Sequence, residues 1–191
     1  MTLQEMTDEQ LVAEIGRGEM QALALLVNRH QQWALRLAYR SLGDWHLAED
    51  AVQEAFLRVN RAAPQYRPNA KFSTWFYRIV VNLCMDELRK RQRRSETSSE
   101  ITADPATVDS PLHQQEVTEI QEAVHRALTT LNDRERMAVI LHRFEGQSHR
   151  QIAEITEVSA SAVESLLVRA YRKLRQELAS FSDISSEKPQ G

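Results

Sequence analysis

Little in this sequence offers the means for covalent chemistry or membrane insertion. One cysteine, Cys84, in 191 residues excludes an internal disulfide framework and a cysteine-built zinc site. Five glycines and five prolines are few for an all-β fold full of turns, and favour long helices. No apolar run approaches the roughly 20 residues that a membrane span needs. The start, Met1-Thr-Leu-Gln-Glu-Met-Thr-Asp-Glu9, lacks a basic-then-apolar targeting pattern. A cytoplasmic protein with no direct membrane insertion is expected. There is no glycine-rich phosphate loop and no nucleophile-elbow sequence, so neither catalytic residues nor a cofactor are expected. Charge of one sign is also missing. The chain carries 24 Lys+Arg against 27 Asp+Glu, a net of −3, so any contact with DNA must come from a local concentration of positive charge.

What is present is helical spacing. Thr7-Asp-Glu-Gln10 has the form of a capping box, followed by Leu11, Val12 and Ile15. Gly16 and Gly18 punctuate. Leu23, Leu26, Val27, His30, Ala34, Leu37 and Ala38 then recur at helical intervals up to Gly43. A third helix is expected from about 44 to 62, ended by Pro64. Ser73 is the expected N-cap of a fourth, running to about Arg93. Between Ser95 and Gln115 there are four acidic residues, no Lys or Arg and two prolines, which reads as a flexible acidic linker. Helical patterning resumes over 116–128, 132–144, 148–156 and 161–178, and the residues from Phe181 to Gly191 read as a frayed tail. The expected architecture is all-α. It has two small helical domains, 1–94 and 116–180, joined by a linker over 95–115 and followed by a disordered tail over 181–191.

Three segments carry candidate function. Ser148 to Leu166 has the pattern of a helix-turn-helix. Ala153 is small where two helices must cross, Ile152, Ile155, Val158, Val163 and Leu166 seal the pair, and Ser148 with Gln151 forms a capping box. Ser159 or Ser161 can cap the second helix. Its polar face offers Glu164, Ser165, Val168, Arg169, Arg172 and Arg175, short readers first and arginines later, as a major-groove helix needs. The pattern alone also fits an ordinary helical hairpin with a solvated basic face.

The second segment is Phe72 to Arg94. Four aromatics fall within six residues, and from Lys71 to Arg94 seven basic residues stand against two acidic, a net of +5. Aromatics beside a basic stripe suit single-stranded nucleic acid, because rings stack on unpaired bases and arginines track phosphates. Some of these rings also fit a core, and basic residues also suit a helix C-terminus. In the third segment, Leu47 to Arg58, the apolar positions leave Glu49, Asp50, Gln53 and Glu54 on one acidic face. Spacing alone favours a solvated face, and docking of a basic protein partner is the alternative. His142 and His149 straddle Gly146 without a nearby Cys or carboxylate pair, so no metal site is expected. Cys84 sits among apolar residues as a core side chain would.

In this order and at these separations, the segments resemble the extracytoplasmic-function (ECF, group IV) sigma factors of bacterial RNA polymerase. The resemblance covers about residues 8–94 and 116–178. It is carried most specifically by Ala48-Glu-Asp-Ala-Val-Gln-Glu-Ala-Phe56, by Phe72-Ser-Thr-Trp-Phe-Tyr-Arg-Ile-Val-Val-Asn82, and by the block from Leu131 to Leu174. General likeness extends to the metal-responsive branch, the cobalt–nickel resistance type.

The resemblance implies that the first domain is sigma region 2, docking through Glu49, Asp50, Gln53 and Glu54 on the β′ clamp helices of the core polymerase. It implies that Tyr66, Arg67, Asn69, Lys71, Phe72, Trp75, Tyr77, Arg78, Asn82, Arg89 and Arg93 recognise and melt the −10 element. The second domain is then region 4. It would read the −35 element with Ser159, Ser161, Glu164, Ser165, Val168, Arg169, Arg172 and Arg175, and contact the β flap. Promoter DNA and an anti-sigma factor, often membrane-anchored in this family, are the other implied partners.

Two positions depart from the family pattern. Glu157 occupies a turn where glycine is usual, which forces a non-glycine residue toward left-handed geometry. Glu164 stands where many members have a basic residue; an acid cannot contact phosphate but can accept a hydrogen bond from cytosine N4. Two other readings stay open on the residues alone: a LuxR-type two-domain regulator, and a helical protein-interaction module.

Overall fold

The computed structural model describes residues 2–67, 71–97, 124 and 126–186. All regular structure among them is helical, in two compact units. No helix among the described residues is long and apolar enough to cross a membrane.

The first unit contains four helices: α1 (Asp8–Gly16), α2 (Met20–Leu42), α3 (Trp45–Ala62) and α4 (Phe72–Thr97). The Thr7 capping box forms as expected, with the Gln10 N–H donating to Thr7 Oγ1 at 3.3 Å and the Thr7 N–H to Gln10 Oε1 at 2.8 Å. Gly43 closes α2 at φ 69°, a left-handed geometry that glycine adopts without strain. Asp44 then caps α3 by accepting the Leu47 N–H at 3.1 Å. Arg91 of α4 braces this corner, donating to the Leu42 carbonyl at 3.0 Å and to Asp44 Oδ2 at 3.1 Å. The core is built from Leu11, Val12, Leu26, Leu37, Ala48, Ala55, Phe56, Val59, Phe72, Phe76, Val80 and Cys84. Each large member stabilises the unit by about 1.5–3 kcal/mol relative to exposure.

Gly16 ends α1 as expected, and packing adds a second reason for glycine there. A Cβ at this position would lie 2.8 Å from the Ala63 carbonyl oxygen, so glycine permits the approach of the turn at Ala63–Gln65. Ser73 is not the expected N-cap. The helix already begins at Phe72, and the Trp75 N–H bonds the Lys71 carbonyl at 3.3 Å.

In the second unit residues 126–129 are helical. They are followed by α5 (Asp133–Val139), a π-helical turn (Ile140–Phe144), α6 (His149–Thr156) and α7 (Ala160–Ser186). The sequence pattern reads 132–144 as one helix. Instead the hydrogen bonding widens after Val139, with the Glu145 N–H reaching the Ile140 carbonyl at 3.2 Å. Leu131, Met137, Ile140, Leu141, Ile152, Val163, Leu167 and Ala170 are buried. The last helix continues through Ser186, past the expected end at Leu178 and into the stretch read as a frayed tail. The fourth helix likewise enters the expected linker as far as Thr97. The rest of that linker lies outside the described residues.

Candidate nucleic-acid and polymerase interfaces

Helix α4 places Trp75, Arg78, Asn82, Arg89 and Arg93 three, seven, fourteen and eighteen residues along, which at 3.6 residues per turn is one face about 27 Å long. At its N-terminal end a cleft of about 460 Å³ is lined by Ala62, Gln65, Tyr66, Arg67, Thr74, Trp75 and Arg78. The Tyr66 and Trp75 rings form one wall, with centroids 4.8 Å apart. The Tyr66 hydroxyl is buried with no hydrogen-bond partner among the described residues. Burial, and then the negative charges of Glu9 and Asp8, push that phenol above its ordinary range. Lys71, Asn82, Arg89 and Arg93 are exposed, and Arg89 pairs with Asp86 at 2.8 Å.

Phe72 does not belong to this surface. Its side chain is fully buried, stacked on Phe76 at 5.5 Å and packed at a tilt on His30 at 5.1 Å, because its angular position on the helix turns it into the core. Tyr77 is half-buried, packed on Trp33 at 4.3 Å. Asn69 lies outside the described residues.

The acidic face of α3 rests on buried Ala48, Ala51, Val52, Ala55 and Phe56. Glu49, Asp50 and Gln53 are exposed, and Glu49 accepts from Trp45 Nε1 at 2.9 Å. Glu54 accepts from Arg58 Nε at 3.1 Å and Arg61 Nη1 at 3.4 Å, and the Arg58 bond leads in holding its carboxyl below the ordinary range.

The helix-turn-helix of α6 and α7 forms with the expected caps. The Gln151 N–H donates to Ser148 Oγ at 3.3 Å, and the Ala162 N–H to Ser159 Oγ at 3.2 Å. Glu157 is left-handed at φ 57°, ψ 38°, the one described non-glycine residue with positive φ. Its N–H and that of Val158 both return to the Ala153 carbonyl, closing α6 as a glycine normally would. On α7, Val163, Leu167 and Ala170 face inward, while Ser159 just before it and Ser161, Glu164, Ser165, Val168, Arg169, Arg172 and Arg175 along it are exposed. Leu178, the expected last residue of this helix, is exposed.

One residue of this site was missed by the sequence reading. Glu135 of α5 is 1% exposed, accepting from Lys173 Nζ at 2.7 Å and lying 3.5 Å from Arg169 Nε. Burial pushes its carboxyl up, but Lys173, the Asn132 cap and Arg169 outweigh that and hold it below the ordinary range. The Asn132–Glu135 capping-box spacing was the available signal.

His142 and His149 stand with ring centroids 5.3 Å apart, and His142 Nδ1 lies 2.9 Å from the Tyr171 hydroxyl. No group of three His, Cys, Asp or Glu side chains that could hold a metal occurs among the described residues. Cys84 is fully buried, which pushes its thiol up to about 12, so it is no nucleophile.

Two helical units, one with an aromatic–basic helix face and one with a helix-turn-helix, define a DNA-binding protein of the transcription machinery. Residues 26–94 match the family model for Sigma-70 region 2, and residues 121–174 match that for Sigma-70, region 4. The RNA polymerase sigma-H factor of Pseudomonas aeruginosa is 34% identical over 173 residues, 85% of this chain and 89% of that protein. The ECF RNA polymerase sigma-E factor of Escherichia coli is 31% identical over 178 residues, 87% of this chain and 92% of the relative. The solved structure of CnrH in complex with the cytosolic domain of CnrY is 27% identical, covers 91% of this chain and 97% of its own, and superimposes with a TM-score of 0.66. The chain belongs to the extracytoplasmic-function sigma factors of the sigma-70 family. The region 2 match over the first unit sets aside the LuxR-type regulator and the simple interaction module.

Proposed function

We propose that this alternative sigma factor divides promoter reading between its two units, and that the cleft between Tyr66, Arg67, Trp75 and Arg78 receives an unpaired base of the −10 element. The supporting observation is the cleft itself: two adjacent aromatic rings open beside a basic helix face. Base–aromatic stacking is worth about 1–3 kcal/mol, which offsets the few kcal/mol needed to extrude a base. Lys71, Asn82, Arg89 and Arg93 extend the path for the melted strand, with Tyr77 bracing the same helix. Ser159, Ser161, Glu164, Ser165, Val168, Arg172 and Arg175 read the −35 element. Arg169 joins them from its contact with Glu135.

Glu49, Asp50, Gln53 and Glu54 dock on the β′ clamp helices, and the second unit touches the β flap. The factor works in the cytoplasm with the core enzyme, which performs the nucleotide transfer. An anti-sigma factor with a membrane anchor controls it. The solved complex of CnrH with the cytosolic domain of CnrY supports a partner of this type.

Run-off transcription tests the reading. The purified chain with core polymerase is expected to start at a specific promoter without another sigma factor, and failure to do so refutes it. Within the −35 site, Glu164→Ala is expected to cost about tenfold in discrimination at the cytosine it accepts from, measured across base variants of that position. Unchanged selectivity and affinity sink that assignment.

A further inference from the structure

The first turn of a helix carries N–H groups with no partner inside the helix, and they are ordinarily satisfied by the residue just before it. Helix α4 has no such residue. Lys71 stands at that position, and its ammonium has no acceptor to offer. A cap side chain would in any case serve the second or third N–H; the first, that of Phe72, finds its acceptor on α1, sixty-three residues earlier, donating to Glu9 Oε1 at 2.8 Å. This bond is the main cause of the lowering of the Glu9 carboxyl, as expected for a carboxylate held at a helix N-terminus.

The same end of α4 is pinned from α2. His30 packs on the Phe72 ring at 5.1 Å, and its Nδ1 accepts from Trp33 Nε1 at 2.9 Å while its Nε2 lies 2.8 Å from Asp8 Oδ2. Both rings of the aromatic wall lie beside this junction. Trp75 is one turn beyond Phe72, with rings 5.9 Å apart, and the phenol of Tyr66 feels the charges of Glu9 and Asp8.

We propose that Glu9 is a positioning residue for −10 recognition. By capping the Phe72 N–H it fixes the first turn of α4 and hence the distance between Trp75 and Tyr66. It touches no base itself. The inference rests on the reading of the Tyr66–Trp75 cleft as the −10 site. Without Glu9 that turn can fray, and the base-stacking wall must be ordered at the expense of binding.

The test uses holoenzyme assembled from core polymerase and the full chain. The probe is a fluorescent single-stranded non-template oligonucleotide spanning the −10 region of the promoter found by run-off transcription, against the same strand scrambled. Glu9→Ala is expected to weaken binding of the promoter strand about tenfold, with affinity for core polymerase and the melting temperature of the chain unchanged. Glu9→Gln, which keeps an oxygen acceptor at the same reach, is expected to stay within about threefold of wild type. Wild-type affinity in Glu9→Ala overturns the proposal. So does a parallel fall in core affinity or melting temperature, which would make Glu9 a general support of the fold. If the wild-type holoenzyme does not prefer the promoter strand to the scrambled one, the −10 assignment itself fails and takes this inference with it.

Discussion

Replacing Glu157 by glycine tests the strain in the helix-turn-helix. Glu157 closes α6 at φ 57°, ψ 38°, with its own N–H and that of Val158 on the Ala153 carbonyl. An L-residue pays about 1–2 kcal/mol for the left-handed conformation. Glycine pays nothing there but loses about 0.5–1 kcal/mol more backbone entropy on folding. The difference is a net stabilisation of about 0.5–1 kcal/mol. Hydrogen exchange reads this locally, because amides in α6 and α7 exchange through opening of that element. Their protection is expected to rise about two- to fivefold in Glu157→Gly at constant pH and temperature. Glu157→Ala removes the same carboxylate without relieving the strain and is expected to show no gain. Glu157→Asn, with a side chain tolerant of left-handed geometry, should fall between them. If alanine gains as much as glycine, the benefit comes from removing the acid and the strain argument is wrong.

Four further outcomes follow from packing and charge. Glu135→Ala is expected to destabilise the second unit by about 2 kcal/mol in chemical denaturation: Lys173 and Arg169, part-exposed, can turn to water, but the Asn132 cap loses its partner. Because folding lowers the Glu135 carboxyl, its contribution is complete above its unfolded value near 4.5 and is lost as pH falls through the lower folded value; Glu135→Gln should flatten that part of the stability curve, and an unchanged curve refutes the linkage. Gly16→Ala is expected to cost about 1–3 kcal/mol despite the better helix propensity of alanine, since the new methyl meets a backbone oxygen at 2.8 Å, and a neutral or stabilising result in thermal melts contradicts the close approach. Cys84 should resist iodoacetamide at pH 8 in the folded chain and react on unfolding, as followed by mass spectrometry; rapid labelling of the native protein would show the core to be more open than its full burial implies.

The parts of this fold legible in the sequence are those whose signals are local. Thr7 with Gln10, Ser148 with Gln151, Gly43 before Asp44, and the apolar stripe through Val163, Leu167 and Ala170 each lie within a turn or two of what they specify. The left-handed Glu157 is legible through the resemblance, which places it at a turn position where glycine is usual. What stays hidden acts across the chain. Glu9 caps a helix that starts at Phe72, Gly16 admits the Ala63 carbonyl, and Glu135 meets Lys173 thirty-eight residues away. Phe72 shows the limit most plainly. Its neighbours Trp75 and Arg78 line the cleft, and only its angular position decides that it is core while they are surface. The π-helical turn at Ile140–Phe144 leaves no mark in the apolar spacing, because that spacing fits a regular helix as well.

The near-neutral net charge acquires a physical meaning once the basic residues are sorted by partner. Arg29 holds Asp8 and two backbone carbonyls, Arg91 holds the α2–α3 corner, and Lys173 neutralises a buried acid, so these cations serve the fold. Arg172 and Arg175 on α7, and Arg89 and Arg93 on α4, stay on exposed faces. The acidic face of α3 and the four acids between Ser95 and Gln115 offset them in the sum. Non-specific affinity for DNA follows the number of phosphates neutralised, with a steep dependence on salt. A chain with two short basic faces and a net of −3 is poorly equipped to hold duplex DNA alone. Under the proposed division of promoter reading, core polymerase supplies what it lacks: with both faces engaged on one promoter, the second contact forms at the effective concentration set by the first. Under the proposed docking through the α3 face, occupancy at a promoter depends on that contact. Charge reversal at exposed Asp50, Asp50→Lys, is expected to abolish run-off transcription while leaving the binding of a −35 duplex by the isolated chain unchanged or slightly tighter. Equal loss of both would place Asp50 in the DNA surface and refute the division.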